Sequence, residues 1–294
     1  MEIRPLTTLP DMQQAEAVQR QAWQIDDLEI INVHTLHALQ HNGAALLGAF
    51  DGDRLVGFCL GVLGTQPAPQ QPAATRLKLY SVMAGVLPAY QGQGVGRQLK
   101  AAQREFALRI GVPLITWTYD PLESRNAHFN LARLGAVCGT YHVHFHGELG
   151  GINAGLPTDR FEVAWWLASD RVRRRMDGER RPFTRQHWLQ SGARLLNEAA
   201  FDVRGLPAPP DDVAGGTADV LLVEIPADFQ AVKRQDVALA RRWRAHTRAH
   251  FTQLFAAGYL ATDFISEPGQ AGPARSFYVL TRASFDADER LAPD

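Results

Sequence analysis

The chain has 294 residues, of which 46% are hydrophobic and 21% charged, which is the composition of a globular protein. Lys and Arg number 30 against 31 Asp and Glu, so net charge predicts neither a nucleic-acid partner nor a membrane partner. Two cysteines, Cys59 and Cys138, exclude a disulfide scaffold and a Cys-rich zinc site. No apolar run approaches the roughly 20 residues of a spanning helix, and the first ten residues lack a signal pattern, so we expect a cytoplasmic protein.

Strand and helix patterns alternate through residues 1–168. A strand at 2–6 and helices around 11–22 and 33–39 come first, and Asp51-Gly52-Asp53 then joins two apolar stretches as in a β-hairpin. The elements expected after the hairpin are a strand at Leu77–Val86, a helix at 95–110, a strand at Pro113–Tyr119, a short helix at 126–134, and strands at Cys138–Phe145 and Phe161–Leu167. The long helix is expected to bury its apolar residues Val95, Leu99, Ala102, Phe106 and Ile110. This order predicts an α/β domain over residues 1–168.

A charged run, RVRRRMDGERRP, interrupts the pattern. Because Asp177 and Glu179 are interleaved with its arginines, we interpret 169–183 as a solvated linker and not as a nucleic-acid contact. Residues 184–294 predict a second α/β region, with helices at 186–199 and 240–255 and strands at Ala218–Ile225, Tyr259–Ile265 and Ser276–Thr281.

The two regions share one short similarity. Val86–Gln91 resembles Ile225–Gln230, and each stretch lies between a strand pattern and a helix pattern. The second region is therefore either a degenerate copy of the first or similar to it by chance.

A glycine-rich loop carries the strongest functional signal. Gln91-Gly92-Gln93-Gly94-Val95-Gly96-Arg97 lies between a strand and a helix. Glycines let the main chain turn tightly, and the amides that begin the helix then converge at the positive end of the helix dipole. A phosphate or pyrophosphate is the expected ligand, and Arg97 and Lys100 would add positive charge to its binding site. The alternative is a turn that only lets the helix pack.

Two other phosphate-binding loops fit this sequence poorly. A Walker loop ends in Gly-Lys-Ser/Thr, whereas this loop ends in Gly96-Arg97-Gln98, so a nucleotide triphosphatase is disfavoured. A dinucleotide fingerprint has Gly-x-Gly-x-x-Gly with an acidic residue about 20 positions later. Neither the glycine spacing nor the acid spacing matches here.

At these residues the sequence resembles the GNAT superfamily of acyl-CoA-dependent N-acyltransferases. The family signature, Gln/Arg-x-x-Gly-x-Gly/Ala, is matched in full by Gln91-Gly92-Gln93-Gly94-Val95-Gly96, and the preceding Val86–Tyr90 is similar to the family's strand exit. The whole chain is similar to a two-part group of about this length. The resemblance implies an α/β fold with a GNAT-like mixed, splayed central sheet and flanking helices, followed by the second α/β region.

The same resemblance implies where acyl-CoA binds. The donor would lie between the strands at Leu77–Val86 and Pro113–Tyr119, with loop amides on its pyrophosphate and strand main chain on its pantetheine. The donor would be acetyl-CoA or another acyl-CoA such as succinyl-CoA, with no metal. The expected cofactor-binding residues are Ala84, Gly85, Val86, Gln91, Gly92, Gln93, Gly94, Val95, Gly96, Arg97, Asn126 and Arg133.

Acyl transfer requires a neutral amine, a stabilised oxyanion and a protonated leaving thiolate. Family members often have a tyrosine as the acid, four residues before the glycine that corresponds to Gly135, but Leu131 stands there. The remaining candidates are Tyr141, Tyr119 or water for the acid and Asp120, Glu123 or His128 for the base. A turn or surface role fits each of these residues as well, as for Asp120 before Pro121.

Three histidines, His142, His144 and His146, alternate along one predicted strand and would share a face. We favour the interpretation that these histidines line the cleft for the acceptor. The alternative is that they lie on a partly solvent-exposed strand face. No fourth ligand can be named, so we expect no metal there.

These features predict an acyl-CoA-dependent N-acyltransferase that transfers acetyl, or another short acyl such as succinyl, directly from CoA to a small-molecule amine such as an amino acid. The alternative is a non-catalytic acyl-CoA-binding or scaffold protein with a degenerate site. Because residues 225–230 lack the glycines of the first copy, we expect one CoA per chain, in a monomer with an internal pseudo-dimer or in a homodimer.

Overall fold

The structure is a computed structural model that describes residues 1–24, 29–67, 72, 76–147, 155–179, 182–269 and 272–282. These residues form two compact units, one from Met1 to Trp117 and the other from Thr118 onward. Within the described ranges, no helix combines the length and apolar character needed to span a membrane.

The first unit is a sheet with three helices. Its strands follow the order β1-β2-β3-β4-β5, antiparallel except for the parallel pair β4–β5. The last two residues of β5 belong to the second unit. The elements are β1 (Glu2–Pro5), α1 (Leu9–Trp23), α2 (Val33–His41), β2 (Ala45–Asp51), β3 (Arg54–Thr65), β4 (Leu77–Val86), α3 (Val95–Arg109) and β5 (Leu114–Tyr119).

The core of this unit forms where α1 and α3 cover the strands. Met12 and Val18 of α1 and Leu99 of α3 are buried with Phe50 and Phe58 of β2 and β3 in one apolar cluster. Burial of side chains of this size contributes roughly 1.5–3 kcal/mol each, which fixes both helices on the sheet. The start of α3, where the glycine loop lies, is therefore anchored to the core.

The second unit is a sheet in the order β7-β6-β12-β13-β11-β8, with β9 and β10 as a separate pair. Its centre is aromatic: Phe161, Phe251 and Tyr278 pack on one another with ring centroids 4.7 to 5.3 Å apart. The elements are α4 (Ser124–Ala127), β6 (Val137–His142), β7 (Arg160–Trp166), α5 (Asp170–Asp177), α6 (Arg185–Gln190), β8 (Arg194–Leu195), β9 (Ala200–Phe201), β10 (Pro207–Ala208), β11 (Val220–Pro226), α7 (Phe229–Gln235), α8 (Val237–Ala256), β12 (Leu260–Glu267) and β13 (Arg275–Thr281). A π-helical turn, His128–Arg133, continues α4.

The predicted fold class, a mixed α/β protein, is confirmed, and β4 has the predicted bounds. Two predicted elements are shorter than expected. The strand predicted over Cys138–Phe145 ends at His142, and the helix predicted over 186–199 ends at Gln190. In the second case Ser191 and Gly192 follow the last turn, and the chain continues into the two-residue strand β8.

The arginine-rich run differs from the expected solvated linker. Ser169 caps α5 by accepting a hydrogen bond from the Val172 amide, and Arg171 and Arg175 of this helix are buried. Arg171 donates to the carbonyl oxygens of Gly135 and Thr262, so the guanidinium satisfies main-chain groups that would otherwise lack a partner. The division into units falls at Trp117 and not near 168. The domain ranges 1–168, 169–183 and 184–294 stay a prediction.

Candidate functional site

Strands β4 and β5 separate after two residue pairs. In the described part of the chain, Leu79 pairs with Ile115 and Tyr80 with Thr116, whereas β4 pairs with β3 along its full length to Val86. A bulge leaves Val82 as an extra residue between the pairs made by Ser81 and Met83. The end of β4 thus has one edge occupied by β3 and the other edge turned away from β5. An extended ligand could form hydrogen bonds along that second edge.

The loop after β4 forms the expected helix start. Gly92 has a φ of +78° and Gly94 a φ of +82°, both in the left-handed region that favours glycine. Gly94 is the N-cap of α3 and makes no side-chain cap hydrogen bond. A Cβ atom placed on either glycine would meet nothing within 4 Å. The surface over these amides is therefore open, as an anion site requires.

Side chains of the loop hold it against the strand exit. Gln91 Nε2 donates to the Val86 carbonyl oxygen at 3.0 Å, and Gln93 Nε2 donates to the Ala89 carbonyl oxygen at 2.8 Å. Gln91 is the first residue of the signature and Gln93 stands at one of its variable positions, and the hydrogen bonds of both side chains fix the loop conformation. The amides of the loop are thus positioned before any ligand arrives, which lowers the entropic cost of binding.

Most of the predicted loop residues 91–97 are exposed at the start of α3. Gln91, Gly92, Gln93 and Gly94 are exposed, while the Val95 side chain is buried and anchors α3. Arg97 is exposed in the first turn, where its charge adds to the positive end of the dipole of this 15-residue helix. The loop can therefore attract a phosphate group through main-chain donors, the dipole and one cation.

The predicted contribution of Lys100 to this anion site is wrong. Lys100 is 3% exposed, and its Nζ donates to Ser81 Oγ at 2.8 Å and to Gln103 Oε1 at 3.0 Å. The ammonium thus lies under the sheet and not on the loop surface. Burial lowers its pKa to about 8.

The three β4 residues expected to contact pantetheine have different environments. Ala84 is exposed, Val86 is half-buried, and Gly85 is covered by the indole of Trp23. Trp23 ends α1 and packs edge-on against Phe58, with ring centroids 6.4 Å apart. Trp23 could not be recognised as part of this site from the sequence, because an aromatic residue at a helix end has the pattern of an ordinary core residue.

The predicted catalytic residue Asp120 forms an ion pair in the second unit. Arg244 donates from both terminal nitrogens to the two carboxylate oxygens, and the Leu122 amide donates to Oδ1 at 2.8 Å. Arg244 is 3% exposed, so the pair is largely removed from water. A carboxylate held in this way stabilises the fold and has few lone pairs left for proton transfer.

The predicted residue Tyr141 also has a partner. Its hydroxyl donates to Asp159 Oδ2 at 2.6 Å, and Asp159 is fully buried and accepts two further hydrogen bonds from Arg248. Burial, together with the charge of Asp159, holds the pKa of Tyr141 well above its usual value. The role of Tyr141 as an acid stays a prediction.

The other predicted residues of this unit lie nearer its surface. His128 is half-buried, with Nδ1 at 3.5 Å from Ser266 Oγ, and Asn126 and Arg133 are exposed. Exposure leaves Asn126 and Arg133 accessible to a ligand, and their contacts with CoA stay predictions.

The prediction that three histidines alternate along one strand is wrong. β6 ends at His142, and His144 has a φ of +52° within a turn. His142 Nε2 lies 2.8 Å from Glu162 Oε2, and the Phe145 ring contacts the rings of both His142 and His146. The residues that the structure describes include no group of three or more His, Cys, Asp or Glu able to hold a metal.

A comparison with protein-family models matches the part of the chain that contains the glycine loop. Residues 9–136 match the model of the acetyltransferase (GNAT) family, a segment that includes β4, the loop, α3 and β5. This segment, which is less than half of the 294 residues, is similar to the GNAT acetyltransferases. No curated protein matches the sequence.

Solved structures with similar folds include three bacterial proteins. The ribosomal-protein-S18-alanine N-acetyltransferase from Escherichia coli is 16% identical, covers 55% of this chain and 91% of its own, and has a TM-score of 0.42. The yncA structure from Salmonella typhimurium with acetyl-CoA is 18% identical, covers 57% and 94%, and scores 0.45. An N-acetyltransferase from Staphylococcus aureus Mu50 is 14% identical, covers 56% and 98%, and scores 0.46.

Proposed function

We propose that this protein transfers a short acyl group, acetyl or a longer one such as succinyl, directly from CoA to a small-molecule amine such as an amino acid. The observation that carries the proposal is the open helix start at Gly92 and Gly94, immediately after a strand whose outer edge is not occupied by its neighbour. A diphosphate fits an uncapped helix start, and an amide-containing chain such as pantetheine fits a free strand edge.

The strand edge at the end of β4 and the glycine loop are close in sequence, so one ligand could contact both. Val86 ends β4, and the side chain of Gln91 is hydrogen-bonded to its carbonyl oxygen. The anion loop is therefore tied to the strand end that would bind pantetheine. Main-chain groups of Ala84, Gly85 and Val86 would hold the pantetheine arm and the thioester carbonyl, as in the prediction from sequence.

The chain's own residues would contribute to the reaction in two ways. Preorganised main-chain donors at a strand edge can stabilise the oxyanion that forms when the amine attacks the thioester carbonyl. The leaving thiolate requires little assistance near neutral pH, since a thiol has a pKa of about 8.5. A group that takes a proton from the amine would complete the requirements for transfer.

A specific observation favours the alternative, a protein that binds acyl-CoA without transferring the acyl group. Asp120 and Tyr141, two of the predicted catalytic residues, are both engaged in strong hydrogen bonds within the second unit. Such a protein would bind CoA at the same loop, and no amine would release CoA from acyl-CoA.

The test measures binding and turnover separately. CoA, acetyl-CoA and succinyl-CoA are titrated into the protein by calorimetry, and CoA release is followed with a thiol reagent over a panel of amines that includes amino acids. Transfer to at least one amine supports the proposal. Binding without release by any amine supports the alternative, and absence of binding overturns both.

A matched pair of variants connects binding with the loop. Gly94→Asp places a carboxylate at the N-terminus of α3, whereas Gly111→Asp places one just beyond its C-terminal end, where φ is +75° and the space is equally open. The backbone strain is therefore similar in the two variants. We expect Gly94→Asp to lose CoA binding and Gly111→Asp to retain it, and equal affinities would overturn the assignment of the loop.

A further inference from the structure

A buried lysine lies where β4 and β5 separate. Lys100 Nζ donates to Ser81 Oγ at 2.8 Å and to Gln103 Oε1 at 3.0 Å, and it lies 3.9 Å from the centre of the Trp117 ring. Ser81 and Trp117 are the residues that follow the last β4–β5 pair, Tyr80 with Thr116. The ammonium therefore contacts both strands at the base of the fork between them.

No carboxylate compensates this charge among the described residues. The groups around Lys100 Nζ are a hydroxyl from β4, an indole from β5 and an amide from its own helix. Lys100 also interacts electrostatically with Cys59 of β3, but burial raises the pKa of that thiol to about 12, so it stays neutral. A buried cation without a counter-ion is costly, which favours loss of its proton.

The surroundings of Lys100 suit either protonation state. When the lysine is charged, its three N–H donors can point at Ser81 Oγ, Gln103 Oε1 and the face of Trp117. When it is neutral, its lone pair can accept a hydrogen bond from the Ser81 hydroxyl, since a hydroxyl both donates and accepts. A proton can therefore pass between Lys100 Nζ and Ser81 Oγ while both atoms keep a hydrogen-bond partner.

We propose that Lys100 and Ser81 form the proton relay of acyl transfer. This inference rests on the proposed function. It adds that the proton moves through the base of the β4–β5 fork, where the acyl end of the donor would lie. Asp120, Tyr141 and His128 are then not required as acid or base.

The step balances without any additional reactant. The amine nitrogen attacks the thioester carbonyl, the C–N bond forms, and the proton lost by nitrogen passes to Ser81 Oγ while the Ser81 proton passes to Lys100 Nζ. The C–S bond then breaks with its electron pair on sulfur, and Lys100 returns the proton through Ser81 to the thiolate. The products are an amide and CoA thiol, and the lysine is neutral again.

Four variants test the relay. Lys100→Arg keeps a positive charge that cannot be lost at working pH, Lys100→Met removes the charge, and Ser81→Ala removes the hydroxyl. Lys78→Arg is the control, because Lys78 is on the same strand as Ser81 but is only partly buried. We expect kcat/KM to fall by about 10²–10⁴-fold in the first three variants, with CoA affinity retained, and to be unchanged in the control.

A second measurement is independent of turnover. The chain has three lysines, Lys78, Lys100 and Lys233, so their Cε resonances can be assigned by substitution in ¹³C-labelled protein. We expect the Lys100 resonance to titrate near pH 8 in the protein without CoA, and the acid limb of kcat/KM to share that midpoint in the wild type and to disappear in Lys100→Arg.

Each outcome has a distinct meaning. If Lys100 stays charged beyond pH 10, or if Lys100→Arg retains the wild-type rate and pH profile, the relay is wrong and the proposed transferase function stands. If Lys100→Met loses CoA affinity in proportion to its rate, the lysine has a structural role and the relay is again overturned. If the wild type binds CoA and transfers to no amine, the proposed function fails and the relay fails with it.

Discussion

Trp23 lies directly over Gly85, so closely that a Cβ atom on residue 85 would be 2.6 Å from the Cη2 atom of the indole. This contact joins Trp23, the last residue of α1, to the residue that precedes the end of β4 at Val86. Residue 85 must therefore be glycine for a steric reason and not for its backbone angles. Together with the pairing to β3, this contact holds the end of β4 in position although it does not pair with β5.

Replacing Gly85 with alanine should destabilise the protein. The added methyl group forces the indole or the strand to move, and overpacking of this kind costs roughly 1–3 kcal/mol in the free energy of unfolding. Urea denaturation measures the loss. The control is Gly64→Ala on β3, where a Cβ would meet nothing within 4 Å. In a Trp23→Leu background the cost of Gly85→Ala should shrink, and an unchanged cost would contradict the steric explanation.

The glycine loop could be predicted from the sequence because its chemistry is local. Gly92 and Gly94 adopt left-handed backbone angles that only glycine adopts easily. A glycine at such a position can therefore be recognised from the sequence alone. Lys100 could not be placed in this way. Apolar periodicity selected Phe106 and Ile110 as core residues of α3, yet Ile110 is 42% exposed and the buried face includes Lys100 and Gln103.

The burial of Lys100 could not be predicted because it depends on tertiary structure. Whether a lysine on a helix lies in water or under a sheet depends on polar partners supplied by other elements, here Ser81 of β4. The arginines of α5 illustrate the same limit, since their partners include Thr262 of β12, 91 positions away in sequence. The charge of these arginines predicted a solvent-exposed segment. Hydrogen bonds to carbonyl oxygens that are distant in sequence bury some of them instead.

Asp120→Asn should reduce stability far more than the loss of a surface ion pair. Removing the charge leaves Arg244 buried without a full counter-charge, which typically costs roughly 3–5 kcal/mol. The matched control is Asp211→Asn, because its partner Arg242 is half exposed and such pairs contribute about 1 kcal/mol or less. Thermal and urea unfolding provide the comparison. A stable Asp120→Asn protein that has lost turnover would instead identify Asp120 as the base.

Tyr141→Phe should keep most of the activity and lose some stability. The Tyr141 hydroxyl donates to Asp159, whose remaining partners include Arg248, so the variant loses one hydrogen bond to a charged group, about 1.5–3 kcal/mol. The pH dependence of kcat/KM is expected to match the wild type. Loss of its basic limb in Tyr141→Phe, with CoA affinity intact, would show that this tyrosine is the acid after all.

Acid should destabilise the second unit through His250. This side chain is 1% exposed, neither ring nitrogen has a hydrogen-bond partner in the described ranges, and burial lowers its pKa to about 4. The folded protein therefore disfavours the protonated form relative to the unfolded chain, where the pKa is about 6.5. Stability contributed by the neutral form is complete above pH 6.5 and is lost as the pH falls toward 4, by up to about 3 kcal/mol.

The variant His250→Leu should flatten this pH dependence. Urea unfolding between pH 7 and pH 4 measures it, and His41→Gln, at an exposed position of α2, serves as the control. We expect the wild type and the control to lose stability in parallel as the pH falls, and His250→Leu to lose less. Parallel curves for all three proteins would show that other groups control the acid response.

The chain should bind one CoA, because carboxylates occupy the helix starts that follow β11. Asp228 accepts a hydrogen bond from the Ala231 amide at the start of α7, and Asp236 accepts one from the Leu239 amide at the start of α8. These negative groups use the amides that an anion would need and repel a diphosphate. Calorimetry with CoA should give a stoichiometry of one in the wild type and none in Gly94→Asp. Asp228→Ala should cost about 1 kcal/mol of stability without creating a second site, and a stoichiometry of two in any of these proteins would contradict this account of the second region.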